Sequence, residues 1–298
     1  MKRSEYDERA LSEIHAWKNP EIGWFGEAMK IINWPLDKAG NLILATPGLG
    51  DVIKKSVQGL ISYCGDLAHW SVQTEMISDE FRKAGHAEIK KIADVFHIEL
   101  QQVDRVVGWL AAKYKGIALA EGATFGMLGL PGIPADIAAL ITLNLRAIGE
   151  YATYYGFDIS CQDERLFAMN VLGLASSPTD ASKSLAMAQL VKIAEEVAKK
   201  RTWKQLEEHA FVQVIQQIAK ALGIRLTKAK LAQILPAAGA AVGGGFNAYF
   251  TSKVCDAAYY LYRERFLAAK YGAEVIEVTV EPAEDIDPHY PEEGESIP

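Results

Sequence analysis

The fold is decided by the stretch GATFGMLGLPGIPADIAALITLNLRAIGEYATYYGF, residues 122–157, and by a second stretch of the same layout, LAQILPAAGAAVGGGFNAYFTS, residues 231–252. Both consist largely of Gly, Ala and large aliphatic residues around a Pro turn. Each also contains the GxxxG spacing of closely packed helices, at Gly122/Gly126 and Gly239/Gly243. Segments of this kind belong in a dry helix interface or in a membrane, and they predict two apolar helical hairpins.

The first hairpin continues, after a break predicted at residues 131–134, into a helix predicted over residues 135–155. On a helical wheel of about 100° per residue, Asp136, Arg146 and Glu150 lie in one half of this helix. An ionisable group at the centre of a bilayer costs roughly 2.5 to 3.5 kcal/mol, so lipid does not surround such a helix on every side. The polar half therefore requires water, a partner or an ion. The opposite arc is apolar and consists of Ile137, Ile141, Leu145, Ile148 and Ala152.

Helical signals dominate the rest of the chain. Ser4 and Asp7 form a predicted capping box for a helix that ends before Asn19 and Pro20. Gly156 is predicted to be the left-handed residue that ends the helix of the first hairpin. Apolar residues at helical spacing predict one helix face at Ile89, Ile92, Ala93 and Phe96, and another at Val103, Val106, Val107 and Leu110.

The fold class that follows is all-α: a multi-helix bundle with two Gly/Ala-rich apolar helical hairpins and a disordered acidic C-terminal tail. The alternation of apolar and polar residues at 275–280 predicts one short strand. We divide the chain into a helical domain, with N-terminal helices at 1–115 and the apolar hairpin core at 116–271, and a tail at 272–298. Further helices are predicted at 31–61 (two short ones), 163–175, 178–200, 203–222 and 236–270.

The formal net charge of -7 comes from the tail. From Gly272 onward there are nine acids and neither Lys nor Arg; subtracting these nine from 38 acids leaves 29, against 31 bases. Residues 1–271 are nearly neutral, so the sequence does not predict the basic surface of a nucleic-acid-binding protein. Bases concentrate before the second apolar stretch, where they form a candidate surface for an anionic membrane: Lys199, Lys200, Arg201, Lys204, Arg225, Lys228 and Lys230.

Sequence motifs for known reactions are missing. The chain contains no P-loop, HExxH, GxSxG or EF-hand pattern, and its six histidines have no ligand spacing. Its three cysteines are far apart and form no CxxC pair. We therefore expect no metal and no cofactor. The cysteine pattern, and the lack of an apolar segment behind the N-terminal bases, predict a cytoplasmic protein.

One concentration of polar residues stands in an apolar setting and forms the candidate site. These residues could bind an ion or a lipid headgroup, or act as an acid/base pair with shifted pKa values. A purely structural role is the alternative: an i,i+4 ion pair, a carboxylate at a helix start and amides that fix helix register. The candidate residues are Asp136, Asn144, Arg146, Glu150 and, on the second stretch, Asn247.

The second stretch also has two interpretations. Its 22 residues carry no charge and exceed the roughly 20 needed to span hydrocarbon. Its many Gly and Ala residues and the early Pro236 favour a buried core hairpin instead.

Three segments carry a resemblance: EGATFGMLGLPGIPADIAALITLNLRAIGEYATYYGFD (121–158), TWKQLEEHAFVQVIQQIAKALGIRLTKAKL (202–231) and ILPAAGAAVGGGFNAYFTSKVCDAAYYLYRERFL (234–267). In their amino-acid sequences and in their order along the chain, these segments resemble the EcsC protein family. The resemblance implies a transporter-associated protein, since the family takes its name from a bacterial gene beside an ABC transporter. It implies no established molecular activity and no catalytic residues.

Three hypotheses for function follow. The first is a non-enzymatic accessory protein, peripheral at the inner face of the cytoplasmic membrane and linked to an ABC transporter. Its partner is then an anionic membrane surface or a membrane protein. The second is an enzyme with a polar pocket at Asp136, Arg146 and Glu150. The third is a carrier of an apolar ligand, and none of the three predicts an oligomeric state.

Overall fold

The computed structural model describes residues 3–19, 72–126, 129–175 and 243–276, and scattered residues within 51–59 and 218–230. Across these residues the chain is helical and contains no strand, which confirms the all-α class. Short 3-10 helices lie at Ile92–His97 and Ala273–Val275. The α-helices are α1 (Glu5–Lys18), α2 (Thr74–Lys83), α3 (Leu100–Val107), α4 (Leu110–Gly126), α5 (Gly129–Tyr154), α6 (Gln162–Ala175) and α7 (Gly243–Tyr271).

The centre of the bundle is formed by α4, α5 and α7. Helices α4 and α5 make an antiparallel hairpin, and α7 packs against both, most extensively against α4. Gly122 near the end of α4 lies against Asn247 near the start of α7, so these two helices run in opposite directions. Hydrogen bonds from the start of α5 to the start of α7 show that this second pair runs in the same direction.

Helix α5 is enclosed on almost every side. The predicted apolar arc is confirmed, because all five of its residues are fully buried. Leu140 and Leu143, which the wheel places in the polar half, are buried as well. Consequently Asp136 and Glu150 are also buried, and each needs a partner within the protein.

Local signals at the helix ends are confirmed. The Ser4 hydroxyl accepts a hydrogen bond from the backbone N–H of Asp7, and the Asp7 carboxylate accepts one from Ser4, which completes the capping box of α1. Gly156 has φ +91°, and the backbone N–H of Phe157 donates to the carbonyl of Ala152 at 2.9 Å. This left-handed ending is the reason that α5 stops where the sequence predicts.

Three predicted boundaries are wrong. Helix α5 already starts at Gly129 and runs through Pro131 and Pro134. Pro131 lies in the first turn, where the N–H groups have no helical partner, whereas Pro134 lies inside the helix and removes one backbone hydrogen bond. The helix predicted through residues 89–96 is a turn followed by the 3-10 helix Ile92–His97. Of the strand predicted at residues 275–280, Val275 is instead the last residue of a 3-10 helix, and residues 277–280 lie outside the described residues.

Several predictions lie outside the described residues. They are the helices over 31–61, 178–200 and 203–222 in large part, the first residues of the second apolar stretch, and the acidic tail. The second stretch is helical from Gly243 onward, as part of α7.

One described helical segment, Pro131–Tyr154, is long and apolar enough to cross a membrane by length and composition. Of its most apolar window, 67% is buried inside the protein. Since the core helix of a soluble bundle has the same length and composition, this segment is weak evidence for a membrane span.

Candidate functional site

A buried polar cluster joins α5, α7 and the segment that precedes α7. The carboxylate of Asp136 lies 2.6 Å from the ammonium of Lys230 and accepts a hydrogen bond of 3.1 Å from the amide of Asn247. The Lys230 ammonium in turn donates to the side-chain oxygen of Asn247. All three residues are at most 5% exposed. Each of the three side chains is therefore a polar partner of the other two.

The ionisation of Lys230 depends on this pairing. Burial lowers the pKa of its ammonium, while the neighbouring Asp136 carboxylate opposes that shift. The ammonium also lies 5.3 Å from the centre of the Phe246 ring. Lys230 is thus a structural cation inside the bundle. Its prediction as part of a basic surface is wrong, because a side chain that is 4% exposed cannot reach an external anion.

Asn144 occupies a second level of the same helix interface. Its amide donates to Thr251 on α7 at 3.2 Å and to the carbonyl of Leu140 at 2.7 Å. Asn247 and Asn144 therefore pin α7 to α5 at two points, one helical turn apart on α7. This arrangement agrees with the structural alternative for both amides, the fixing of helix register.

Glu150 is at the far end of α5 and has its own cations. Its carboxylate lies 2.6 Å from Lys113 on α4 and 3.6 Å from Arg146, which is one turn away on α5. The side chain of Arg146 is 45% exposed, whereas that of Glu150 is buried. Asp136 and Glu150 stand about 21 Å apart along the helix axis, so they belong to separate ion pairs.

The structure brings together only some of the predicted site residues. Asp136 and Asn247 meet with Lys230, and Arg146 meets Glu150, but these groups do not converge on one point. The remaining predicted surface bases lie outside the described residues: Lys199, Lys200, Arg201, Lys204, Arg225 and Lys228.

Glu121 on α4 is a buried group that the sequence analysis missed. One of its carboxylate oxygens is buried without a hydrogen-bond partner. Burial and the nearby Asp136 charge raise the pKa of this carboxyl group. Together with Arg146 it lines a groove of about 450 Å³ between α4 and α5, whose floor consists mainly of alanines. The polar groups that line the groove are Glu121, Thr142 and Arg146.

The most extensive ion pairing lies on α7, in the sequence Arg263-Glu264-Arg265, and was also missed. Consecutive residues of a helix point about 100° apart, so the three side chains leave the helix in different directions. Each nevertheless finds a buried or half-buried partner on a different helix. Arg263 contacts Asp104 of α3 and Glu13 of α1, Glu264 pairs with Lys18 of α1, and Arg265 pairs with Glu164 of α6.

Asp104 is the hub of the first of these contacts. It accepts hydrogen bonds from the hydroxyls of Tyr6 at 2.8 Å and Tyr155 at 2.7 Å, and lies 3.0 Å from Arg263. Burial raises the pKa of the Asp104 carboxyl group, and the charge of Arg263 opposes the rise. Burial and the bond to Asp104 also raise the pKa of Tyr6 to about 12. These groups hold α1, α3, α5 and α7 together.

A second groove, of about 400 Å³, lies between α1 and the end of α7 and is lined by Arg3, His15, Lys18 and Glu264 among others. Lys18 and Glu264 pair with each other there. Within the described part of the chain, no three His, Cys, Asp or Glu side chains are grouped so that they could hold a metal ion. Neither groove therefore contains such a group of metal ligands among these residues.

Two glycines of α4 test how tightly the polar cluster is packed. A Cβ atom at Gly122 would lie 3.0 to 3.1 Å from the side chain of Asn247, whereas one at Gly116 would meet nothing within 4 Å. Asn247 cannot retreat, because it is bonded to Asp136 and Lys230. We expect Gly122→Ala to lower the free energy of unfolding by about 1 to 2 kcal/mol, since overpacking outweighs the gain in helix propensity.

Gly116→Ala is the matched control and is expected to raise the free energy of unfolding by up to about 1 kcal/mol. Urea denaturation measures the free energy of unfolding of both variants. Equal stabilisation by the two alanines would show that α4 and α7 are not in close contact at Gly122.

Comparisons with known proteins identify the family of the chain. The model of the EcsC protein family matches residues 8–267. YdbA of Bacillus subtilis (strain 168), described as an uncharacterized protein, is 26% identical over 271 residues, which cover 88% of this chain and 93% of YdbA. Protein EcsC of the same organism is 27% identical over 206 residues, covering 68% of this chain and 80% of that protein. No solved structure matches the chain significantly. Since the family model spans most of its length, the chain belongs to the EcsC protein family.

Proposed function

We propose that this protein is a non-enzymatic accessory protein that docks peripherally at the cytoplasmic face of the membrane, beside an ABC transporter. The observation that carries the proposal is the internal pairing of the candidate polar residues. Asp136 is neutralised by Lys230, and Glu150 by Lys113 and Arg146. Groups that are used to hold helices together are not free to handle a substrate, so the protein acts through its surfaces.

The enzyme hypothesis requires acidic and basic groups that converge on a concave site. The two ion pairs of α5 are instead separated by several helical turns, and the groove beside them is floored by alanines. The carrier hypothesis requires a cavity with large apolar walls. Of the two described grooves, one is lined mostly by charged and polar side chains and the other by three alanines, Leu143 and three polar residues, so neither has the large apolar walls of such a cavity.

The membrane part of the proposal is supported by the basic residues between 199 and 228, which the sequence places before an uncharged stretch. Each base near an anionic leaflet contributes about 1 kcal/mol of attraction, and salt screens that attraction. The proximity to a transporter is the implication of the family resemblance.

Cell fractionation tests the proposal. At low salt we expect the protein in the membrane fraction, and a high-salt wash is expected to release it, because a peripheral protein held by charge has no membrane span to retain it. Charge reversal at Lys199, Lys200, Arg201 and Lys204 is expected to move it to the soluble fraction, while the control Arg82→Glu, at an exposed position of α2, leaves it bound. A protein that is wholly soluble at low salt contradicts membrane docking.

A further inference from the structure

The outer face of α4 carries large apolar side chains, and beyond Lys115 it carries no charge. Among the described residues, four large apolar side chains are exposed. Ile117 at 38% and Leu119 at 52% lie on α4, Trp109 at 44% lies directly before it, and Met76 at 39% lies on α2. Positions of α4 between and beyond its apolar residues are exposed as well and are small and uncharged: Ala112, Gly116, Ala120, Ala123 and Thr124.

The two lysines of α4 lie near the start of the helix, before its exposed apolar residues. Lys113 and Lys115 each lie one turn before a large apolar residue, Ile117 and Leu119 respectively, and the Lys113 ammonium sits 5.1 Å from the centre of the Trp109 ring. Trp and Lys are the residues that anchor proteins at the level of lipid headgroups. Beyond Lys115 the outer face is free of charge up to the end of the helix.

Glu121 does not interrupt this pattern. It is the only ionisable residue between Lys115 and Asp136 in the sequence. Its side chain lines the groove between α4 and α5 rather than the outer face, and one of its oxygens is buried. Residues 125–132, FGMLGLPG, which include the end of α4 and the start of α5, are uncharged as well.

The size of this face argues for lipid rather than a second protein. Helix α4 has 17 residues and is thus about 25 Å long and about 10 Å wide, a footprint of roughly 250 Å². A stable protein complex buries about 800 Å² on each partner. A bilayer surface needs no matching partner shape, so a face of this size is sufficient to bind it.

We propose that the outer face of α4, with Trp109, Ile117 and Leu119 as its apolar contacts, binds the surface of an anionic lipid bilayer. Lys115 lies at the headgroups, and Lys253 of α7 interacts with the charges of both Asp256 and Lys115. Lys113 stays paired with Glu150 beside Trp109. This inference rests on the proposed peripheral docking and names the surface that makes it.

Flotation with vesicles tests the inference on the full-length protein. The wild-type protein is expected to float with vesicles of equal parts phosphatidylglycerol and phosphatidylcholine, and less well with phosphatidylcholine alone. The variant Ile117→Glu/Leu119→Glu is expected to lose about tenfold or more in partitioning, since it removes two apolar contacts and adds two carboxylates. Met76→Glu is the matched control, because Met76 on α2 is 39% exposed but lies off this face.

Circular dichroism and the Tm of both variants establish that they are folded. We expect them to fold, because the substituted side chains are exposed. If the double variant floats as well as the wild type, the assignment of this face is wrong, while membrane docking itself stands. If the wild type sediments with cell membranes but never floats with pure lipid, the partner is a membrane protein and the lipid inference is overturned. If the wild type does neither, the proposed function fails too.

A concentration-dependent dimer that the double variant abolishes, without vesicle binding, assigns the face to a second copy of the chain.

Discussion

Arg265→Met is expected to lower the free energy of unfolding by about 3 to 5 kcal/mol, because it leaves a buried carboxylate without its cation. Arg265 makes two hydrogen bonds of 2.6 Å to Glu164, and both residues are buried. Its guanidinium also lies 4.0 Å and 4.3 Å from the ring centres of Phe157 and Phe167, contacts that a methionine does not reproduce electrostatically. The loss therefore combines a desolvated charge with two cation–π contacts.

Urea denaturation monitored by circular dichroism measures this effect. The control is Arg82→Ala, which breaks the exposed pair of Arg82 with Asp79 and is expected to cost less than about 1 kcal/mol. The double variant Arg265→Met/Glu164→Leu is expected to recover most of the loss, since it leaves no unpaired charge. A single variant as stable as the Arg82 control would show that α6 and α7 are not held by this pair.

Asp136→Ala is expected to lower the free energy of unfolding by a similar amount, about 3 to 5 kcal/mol. It leaves the ammonium of Lys230 buried with only the Asn247 oxygen as a polar partner. Arg146→Ala is the matched control on the same helix, with an expected loss below about 1 kcal/mol, because Arg146 is 45% exposed and Glu150 keeps Lys113.

The pH dependence of this variant identifies the group responsible. Without Asp136, burial lowers the pKa of Lys230 further below its value of about 10.4 in the unfolded chain. Between the two pKa values the unfolded chain binds one proton more than the folded protein, so the free energy of unfolding rises with pH. The destabilisation is therefore fully present below the folded-state pKa and shrinks as the pH rises through it.

Denaturation of Asp136→Ala across the neutral to alkaline range, with Asp136→Ala/Lys230→Met beside it, checks this. The double variant is expected to be more stable than the single one at neutral pH and to lack the added pH dependence. If the single variant's loss is independent of pH, the lost packing of Asp136 is responsible and Lys230 is not.

Helix ends and the apolar core could be predicted from the sequence because they depend on short-range features. Ser4 with Asp7, and Gly156 after α5, act on backbone groups only a few residues away. The predicted helix through residues 89–96 failed for the same local reason. The Asp94 carboxylate accepts hydrogen bonds from the backbone N–H groups of Lys90 and Lys91, at 2.9 Å and 2.8 Å, and so stabilises a turn that apolar spacing does not reveal.

The polar residues of α5 were predictable as a group that needs partners, but the identity of the partners was not. Lys230 was predicted at a basic surface, since its neighbours in the sequence are basic. The Arg263-Glu264-Arg265 segment was overlooked, because three successive charges usually mark a solvated stretch of helix.

The sequence by itself determined that this is an all-α chain of the EcsC family, where several of its helices end, and which arc of α5 forms the core. Periodicity and capping act between neighbouring residues, so they can be recognised in one dimension. Only the tertiary structure decided which charges are buried and with what they pair. Asn247 bonds to Asp136 across 111 residues, and Arg265 to Glu164 across 101. Such pairs form because helix packing removes water from both groups at once, and this depends on contacts between distant segments.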